Sequence, residues 1–297
     1  MTETVPGKPA ASPRLSAYYE LTKPGIVAFV VLTAGVSFHV AAGGRPALAP
    51  LLHTLLGVLL ATSGALALNQ YLERSVDGLM ERTRTRPLPS GRLSPGEALL
   101  FGTALVLLGV GYLWAMVHSL PALLTLASAL AYNGLYTPMK PRSSLATLVG
   151  AIPGAMPALI GWGAATGTLA AGAAVLFGIA FLWQLPHVLA LAWVLRQDYE
   201  RAGFRLVPPA DPEGRAIGRQ MILYSAALLP VSLLPTFLAL TGSVYLYGAL
   251  GLGLSMLALC VKAHREMSLE RARQVFLGSL LYQPLLLGLM FMDTIRI

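Results

Sequence analysis

Charged residues and cysteine are both scarce in this chain. Only 11% of its 297 residues are charged, whereas a soluble domain carries about 25%. The length would allow two soluble domains, but the low charge and the apolar runs exclude them. The single cysteine, Cys260, excludes an intramolecular disulfide and a cysteine-based zinc site. Its apolar neighbours indicate a small buried side chain.

Hydrophobic sequence fills the chain instead. Hydrophobic residues make up 56% of it, and the mean hydropathy is +0.67. Apolar runs of about twenty residues, the length of a membrane-crossing helix, predict an all-α integral membrane protein with nine transmembrane helices. The predicted spans are 25–42, 50–70, 98–116, 119–136, 146–163, 169–194, 221–241, 243–264 and 274–292.

The start of the chain has a different composition. Its first 24 residues contain no apolar segment of the kind found in a cleavable signal peptide. We therefore expect a flexible cytoplasmic tail at residues 1–20, and a single transmembrane domain at residues 21–297.

Basic residues are distributed unevenly between the connections. Of the 21 Lys and Arg residues, all but Arg45 and Arg296 fall in the N-terminal segment or the even-numbered connections. Positive residues favour the cytoplasmic side of a membrane. The pattern predicts a cytoplasmic N-terminus and an external C-terminus in the cell inner (plasma) membrane. The cytoplasmic connections are also the longer and more polar ones, so we expect the active site on that side.

One charged stretch, residues 69–94, directly follows the second apolar run. Asn69, Glu73 and Asp77 recur every four residues, so on a helix they share one face, and Glu81 continues the series. A divalent cation would relieve the repulsion between the acids, and oxygen ligands suit Mg²⁺. Five arginines accompany them: Arg74, Arg82, Arg84, Arg86 and Arg92. Acids beside arginines predict a metal-bridged phosphate site; the alternative is a solvated loop whose charges pair with each other.

Two further segments carry polar residues at the ends of spans. His187 lies inside an apolar run, where a polar residue is either functional or bonded to a neighbouring helix. Asp198 falls on the same predicted side as the acids above, and either completes a carboxylate cage with them or pairs with a nearby arginine. The fourth span ends in Tyr136, Lys140 and Arg142, which either bind substrate or simply set the topology.

These segments together resemble the UbiA superfamily of intramembrane prenyltransferases. The family's first motif, Asn-Asp-x-x-Asp-x-x-x-Asp followed by Arg-Thr-x-x-Arg-Pro-Leu, is matched from Asn69 to Leu88, with Gln70 and Glu73 as departures. The two departures are similar to the heme-farnesylating branch of the family. Three further matches point to the same branch: Lys23-Pro24, YNGLYTPMKPRS at 132–143, and WQLPH with DYERAG within 183–203. The resemblance extends from about residue 18 over the rest of the chain.

The resemblance implies both a fold and a reaction. The fold would be a nine-helix bundle around a cavity that opens to the membrane. The reaction would transfer the farnesyl group of farnesyl diphosphate to a vinyl group of heme B and add water, giving heme O and diphosphate. Heme B is then a substrate, and Mg²⁺, one ion or two, is the cofactor. Heme A synthase or terminal oxidase assembly would receive the product, and no nucleic acid is involved.

Roles for single residues follow from the same resemblance. The metal would be held by Asn69, Glu73, Asp77 and Asp198, which with Tyr136 form the catalytic set. Diphosphate contacts are assigned to Lys23, Arg82, Arg86, Lys140 and Arg142. Further substrate contacts are assigned to Trp183, Gln184 and His187, and His187 is the best candidate for an iron ligand or orienting group for heme.

Three alternative functions remain open at this level. A prenyltransferase of the same fold that uses an aromatic quinone precursor differs only in its acceptor. A transporter with a cation-coupled site would place charged or interrupted segments near the membrane midplane, and often has an inverted repeat. A scaffold that merely binds heme would have no need of acids beside arginines.

Overall fold

The chain folds almost entirely into helices. The computed structural model describes residues 14–205, 211 and 213–296. A π-helix, Ala131–Tyr136, joins α5 to α6. The α-helices are α1 (Arg14–Leu21), α2 (Pro24–Ala41), α3 (Leu48–Asp77), α4 (Pro95–Met116), α5 (Ser119–Leu130), α6 (Thr137–Met139), α7 (Ala146–Thr166), α8 (Ala171–Val194), α9 (Arg196–Arg201), α10 (Arg215–Phe237), α11 (Ser243–Arg265) and α12 (Leu269–Met292).

The helices make this a multi-pass membrane protein. Within the described ranges, eight helices are long and apolar enough to span a bilayer. The predicted span at 119–136 is occupied by α5, the π-helix and α6 in succession. Counted with this interrupted segment, the described residues contain a helix at each of the nine predicted spans, and the prediction of an all-α membrane bundle is confirmed.

The segment before the first span is partly helical. Residues 14–20, which we assigned to the flexible tail, belong to α1, where Ala17 and Leu21 are fully buried. Ion pairs from Arg14 to Glu97 on α4, at 2.5 Å, and from Arg92 to Glu20, at 2.6 Å, hold α1 against the bundle. Residues 1–13 of the predicted tail lie outside the described residues, and the division at residue 20 stays a prediction.

Helices α3 and α4 touch along a seam of glycines. A Cβ built on Gly64 would lie 2.5 Å from the carbonyl oxygen of Gly102, and one on Gly109 would lie 2.5 Å from the backbone nitrogen of Ala61. Small residues let membrane helices approach until their backbones meet. The seam holds α3 in a defined position, and α3 continues from it into the charged stretch.

The charged stretch begins as helix and ends as turns. Helix α3 runs through Asp77, so the spacing of Asn69 and Asp77 does place them on a helix. The chain then turns, and the Thr83 hydroxyl donates to the carbonyl oxygen of Asp77 at 2.7 Å. Glu81, expected to continue the helical series, lies in this turn and is exposed. That expectation was wrong because the helix stops four residues earlier.

Candidate active site

A charged cavity of about 210 Å³ lies where α3 leaves the bundle. Five parts of the chain line it. They are the start of α2, the end of α3 with the turn after it, the π-helix, the end of α6, and α9 with the residues that follow it. Eight residues that we assigned to the site line it: Lys23, Asn69, Glu73, Asp77, Arg82, Arg86, Tyr136 and Lys140.

Each polar group on the α3 face of this cavity is paired with a cation. Asp77 accepts two bonds from Arg86 Nη1, both of 2.8 Å. Lys140 Nζ lies 2.5 Å from Glu73 Oε1, and the carboxylates of Glu73 and Asp77 are almost completely buried. Charges buried to this extent need partners, since their desolvation is otherwise uncompensated. The cavity is therefore built from ion pairs whose cations come from outside α3.

The third pair depends on an uncommon backbone conformation. Lys23, which precedes α2, has a φ of 49°, a left-handed value that few non-glycine residues adopt. Its Nζ donates to Asn69 Oδ1 at 2.9 Å. Burial, and after it the neighbouring Arg86 guanidinium, lower the pKa of Lys23 to about 7. An anion bound in the cavity would favour the ammonium form and raise that pKa again.

The π-helix forms the opposite wall. Asn69 Nδ2 donates to Thr137 Oγ1 at 3.1 Å, which ties α3 to the end of the π-helix. Lys140 Nζ lies 4.6 Å from the centre of the Tyr136 ring, within the range of a cation–π contact. The Tyr136 ring rests on Gly150 of α7, where a Cβ would come within 2.6 Å of it. Short π-helices are frequent at functional sites, and this one positions two tyrosines.

A second, apolar cavity of about 120 Å³ adjoins the charged one. Ile26 and Tyr132 line both cavities, so the two meet at these side chains. Pro153 and Pro157 of α7 form part of the apolar wall. Pro157 has no backbone N–H to donate to the Pro153 carbonyl oxygen. That oxygen instead accepts a hydrogen bond from the Ser128 hydroxyl at 3.2 Å. The proline-rich segment of α7 thus helps to enclose an apolar chamber.

Two residues assigned to the metal or the diphosphate, Asp198 and Arg142, do not line the charged cavity. Asp198 accepts the Glu81 backbone N–H at 3.4 Å and pairs with Arg201 at 3.3 Å. Arg142 is exposed. In the part of the chain that the structure describes, no three His, Cys, Asp or Glu side chains are grouped so that they could hold a metal ion. Of the four residues predicted to hold the metal, Asn69, Glu73 and Asp77 line the cavity and Asp198 does not; the four-residue cage stays a prediction.

The remaining residues assigned to substrate binding face other helices. Gln184 Nε2 donates to the Ala151 carbonyl at 3.0 Å, across α7. Trp183 Nε1 donates to the Ser279 carbonyl at 2.7 Å, and His187 Nδ1 lies 2.8 Å from the Ser279 hydroxyl. Trp183 and His187 therefore contact α12, and none of the three assigned residues lines the charged cavity.

Several lining residues were missed in the sequence. Tyr132 lies four residues before Tyr136 and eight before Lys140, so the helical spacing was a signal that could have revealed it. Tyr199 and Phe204 also line the cavity, with the Phe204 ring 5.7 Å from Lys140 Nζ. No local pattern brings them there; a bond of 2.9 Å from the Arg205 N–H to the Lys140 carbonyl joins the two loops.

Comparison with known proteins identifies the fold and the family. Residues 29–291 match the model of the UbiA prenyltransferase family. The protoheme IX farnesyltransferase of Solibacter usitatus (strain Ellin6076) is 46% identical over 288 residues, covering 93% of this chain and 98% of the relative.

Two solved structures share the architecture at low sequence identity. A digeranylgeranylglyceryl phosphate synthase superposes with a TM-score of 0.79 at 17% identity, over 94% of this chain and 98% of that one. A UbiA homolog from Archaeoglobus fulgidus bound to GPP and Mg²⁺ superposes with a TM-score of 0.61 at 15% identity, over 92% of this chain and 99% of that one. This chain belongs to the UbiA prenyltransferase family.

Proposed function

We propose that this protein transfers the farnesyl group of farnesyl diphosphate to a vinyl group of heme B, with addition of water, and so makes heme O and diphosphate. The observation that carries the proposal is the junction of a charged and an apolar cavity at Ile26 and Tyr132. An allylic diphosphate has the same two parts, an anionic head and an apolar tail. The name and 46% identity of the Solibacter usitatus relative support heme as the acceptor.

The charged cavity suits the diphosphate head. Four basic side chains line it against two carboxylates, so it has an excess of positive charge before any ligand binds. Lys23 and Lys140 would give donors to phosphate oxygens, and Arg82 and Arg86 would add guanidinium contacts. Tyr136 would donate from its hydroxyl. The exposed position of Arg142 leaves it outside this set unless the loop moves.

The α3 face suits a divalent metal. Asn69, Glu73 and Asp77 present oxygen atoms to the cavity from one helix face, and Mg²⁺ prefers oxygen ligands and keeps several positions for water and phosphate. These residues would hold one Mg²⁺, and a second ion would need Asp198 to approach. Bound metal would neutralise the charge that develops on the leaving diphosphate. The Archaeoglobus fulgidus homolog, whose structure is bound to GPP and Mg²⁺, supports this assignment.

The reaction needs a charge-stabilised leaving group and a dry chamber. The bond between farnesyl C1 and the diphosphate oxygen breaks, and the electron pair leaves with the oxygen. With the carboxylates on the metal, Arg86 and Lys140 would turn to the diphosphate and stabilise it as it leaves. The apolar cavity would hold the farnesyl chain and exclude water. The vinyl group attacks C1, and water then adds to the new cation with loss of one proton.

The proposal also covers the orientation of the protein in the membrane and the transfer of heme O to the next enzyme. The positive-inside pattern supports a cytoplasmic N-terminus, an external C-terminus and a cytoplasmic active site. A product released within the membrane would pass to heme A synthase or to terminal oxidase assembly. An aromatic quinone precursor as acceptor is less favoured, because the relative quoted above is named for protoheme.

A product assay tests the proposal. Purified protein in detergent receives heme B, farnesyl diphosphate and Mg²⁺, and the products are separated and weighed by mass spectrometry. We expect a farnesyl-hydroxyethyl heme, and none of it after EDTA. Prenylation of an aromatic acid offered in parallel, with heme unchanged, would overturn the acceptor but keep the donor site. No transfer to either from folded protein would overturn the reaction itself.

A further inference from the structure

The ring of His187 is held from three sides. It stacks on Trp183 with ring centres 5.3 Å apart and 22° between planes, and on Phe276 at 4.9 Å and 29°. Its Nδ1 lies 2.8 Å from Ser279 Oγ on α12. Stacking on both faces and a bond at one edge leave the ring little freedom to rotate, so the opposite edge has a defined direction.

The bonds of Ser279 determine which nitrogen of His187 carries hydrogen. The Ser279 hydroxyl donates its one hydrogen to the Phe276 carbonyl oxygen at 2.6 Å. With that hydrogen used, the hydroxyl accepts from His187, and we assign the proton to Nδ1 on this basis. An imidazolium is costly among apolar groups within a membrane, so the ring is neutral and Nε2 has an unprotonated lone pair. No hydrogen bond to Nε2 is found among the described residues, and the side chain is mostly but not fully buried.

Gly25 of α2 and His187 of α8 lie toward the same end of the bundle. Phe29 of α2 contacts Trp183 at 5.2 Å. Gly25 lies one helical turn before Phe29 on α2, and His187 lies one turn after Trp183 on α8. Because the two helices run in opposite directions, both residues lie on the same side of the Phe29–Trp183 contact, toward the same membrane face. A Cβ at Gly25 would meet nothing within 4 Å. Gly25 lines an open cleft that shares Lys23, Arg82 and Arg86 with the charged cavity.

We propose that Ser279 is a positioning residue that holds His187 as its Nδ1–H tautomer, so that His187 Nε2 ligates the iron of the heme acceptor. A neutral imidazole that donates its other N–H is the usual state of an iron-ligating histidine. This inference rests on the proposed function, since it takes heme as the acceptor. It adds a residue 92 positions away from His187 in the chain, on a helix with no motif of its own.

Spectroscopy of heme on the full-length protein tests the ligation directly. Heme B is added to wild-type protein in detergent, reduced, and examined by resonance Raman for an iron–histidine stretching band. We expect the band in the wild type and its loss in His187→Gly, with recovery of a histidine-like spectrum when imidazole is added. A wild-type complex without that band would overturn the proposal, even if no variant folds.

Serine variants test the positioning role. Ser279→Ala should weaken heme binding about 10- to 100-fold, the usual effect of removing a group that orients a metal ligand, and shift the iron–histidine band. Ser279→Thr, which keeps the hydroxyl, should restore both. Ser225→Ala is the control, because Ser225 is equally buried but contacts Cys260 on α11. An unchanged band and affinity in Ser279→Ala would reduce Ser279 to a packing residue.

The two proposals fail in different ways. Heme O made by a wild-type protein that lacks the iron–histidine band would leave the reaction standing and overturn His187 as the ligand. A His187-ligated heme that is never farnesylated, with active donor hydrolysis, would support the ligand and overturn the reaction.

Discussion

At the scale of single residues, the charged cavity consists of ion pairs that a bound ligand would have to replace. Arg86 pairs with Asp77 and Lys140 with Glu73. Both pairs are buried, and each offsets the desolvation free energy that an isolated buried charge would cost. A metal ion and a diphosphate could replace these partners together, carboxylates turning to the metal and cations to the phosphate. On this proposal, the same residues stabilise the fold without ligand and would bind the metal and the diphosphate.

Replacement of Asp77 tests this view. Asp77→Asn keeps the volume but removes a charge that would neutralise metal and orient Arg86. We expect the turnover number to fall at least about 100-fold, the scale of losing one charge-stabilising group. The measurement is the initial rate of heme O formation.

Glu81 offers a matched control for that variant. It belongs to the same stretch, but its side chain is 66% exposed. Glu81→Gln should keep a rate close to wild type, and both variants should elute as folded protein in size-exclusion chromatography. A folded Asp77→Asn protein with normal turnover would remove Asp77 from the site.

Tyr132 provides a second test at this scale. Its ring lies where the charged and apolar cavities meet, so it is placed to face the developing carbocation and to keep water out. Tyr132→Phe keeps the aromatic face and should stay close to the wild-type rate. Tyr132→Leu should slow farnesyl transfer about 10-fold, or about 1.4 kcal/mol, within the range of a desolvated cation–π contact.

The products of the Tyr132 variants separate two roles of the ring. The measurement is the ratio of farnesyl heme to farnesol. Extra farnesol from Tyr132→Leu would indicate that water reaches the cation. Equal rates and equal ratios for Leu and Phe would exclude both roles of the aromatic ring.

At the scale of helices, the α3–α4 seam determines where the acidic face of α3 lies. The backbones of these helices touch at glycines, which leaves no room for adjustment if a side chain is added. The π-helix acts on the opposite wall, since its widened turn carries Tyr132 and Tyr136 toward α3. Both elements are local irregularities in composition or geometry: the seam positions α3, and the π-helix places Tyr132 and Tyr136 at the cavity.

Two glycines on α4 form a matched pair for testing the seam. A Cβ on Gly109 would fall 2.5 Å from a backbone atom of α3, whereas one on Gly111 would meet nothing within 4 Å. Gly109→Ala should lower the free energy of unfolding by about 1 to 3 kcal/mol, as overpacking does. Gly111→Ala should be neutral or stabilising by up to about 1 kcal/mol, because alanine is the better helix former.

Unfolding midpoints in detergent compare the two variants. A loss of heme O formation in Gly109→Ala alone would show that the seam also positions the site. Equal stabilities would contradict direct backbone contact between α3 and α4.

At the scale of the whole molecule, the orientation in the membrane decides which compartment supplies the substrates. Single cysteines introduced into a Cys260→Ala background can locate the two faces. Ser90 and Thr168 are both exposed and lie on connections of opposite predicted sides. In right-side-out vesicles, a membrane-impermeant maleimide should label Thr168→Cys at once and Ser90→Cys only after lysis. The reverse result would invert the topology and place the active site outside.

The helices were predictable because their signals are local. Apolar runs report membrane spans directly, since an unpaired backbone cannot lie in lipid. The four-residue spacing from Asn69 to Asp77 likewise survives as one face of α3. The interruption by the π-helix was not predicted, because no local pattern in residues 131–136 signals a widened turn.

The sequence by itself determined the membrane class, the span positions and the acidic face of α3, because hydrophobic length and helical period are properties of neighbouring residues. Only the tertiary structure decided the partners: Lys23 reaches Asn69, Lys140 reaches Glu73, and Asp198 stays apart. It also decided the contact between His187 and Ser279. Such contacts depend on how each helix is rotated against its neighbours, and that rotation is set by packing over the whole bundle rather than by any single stretch of chain.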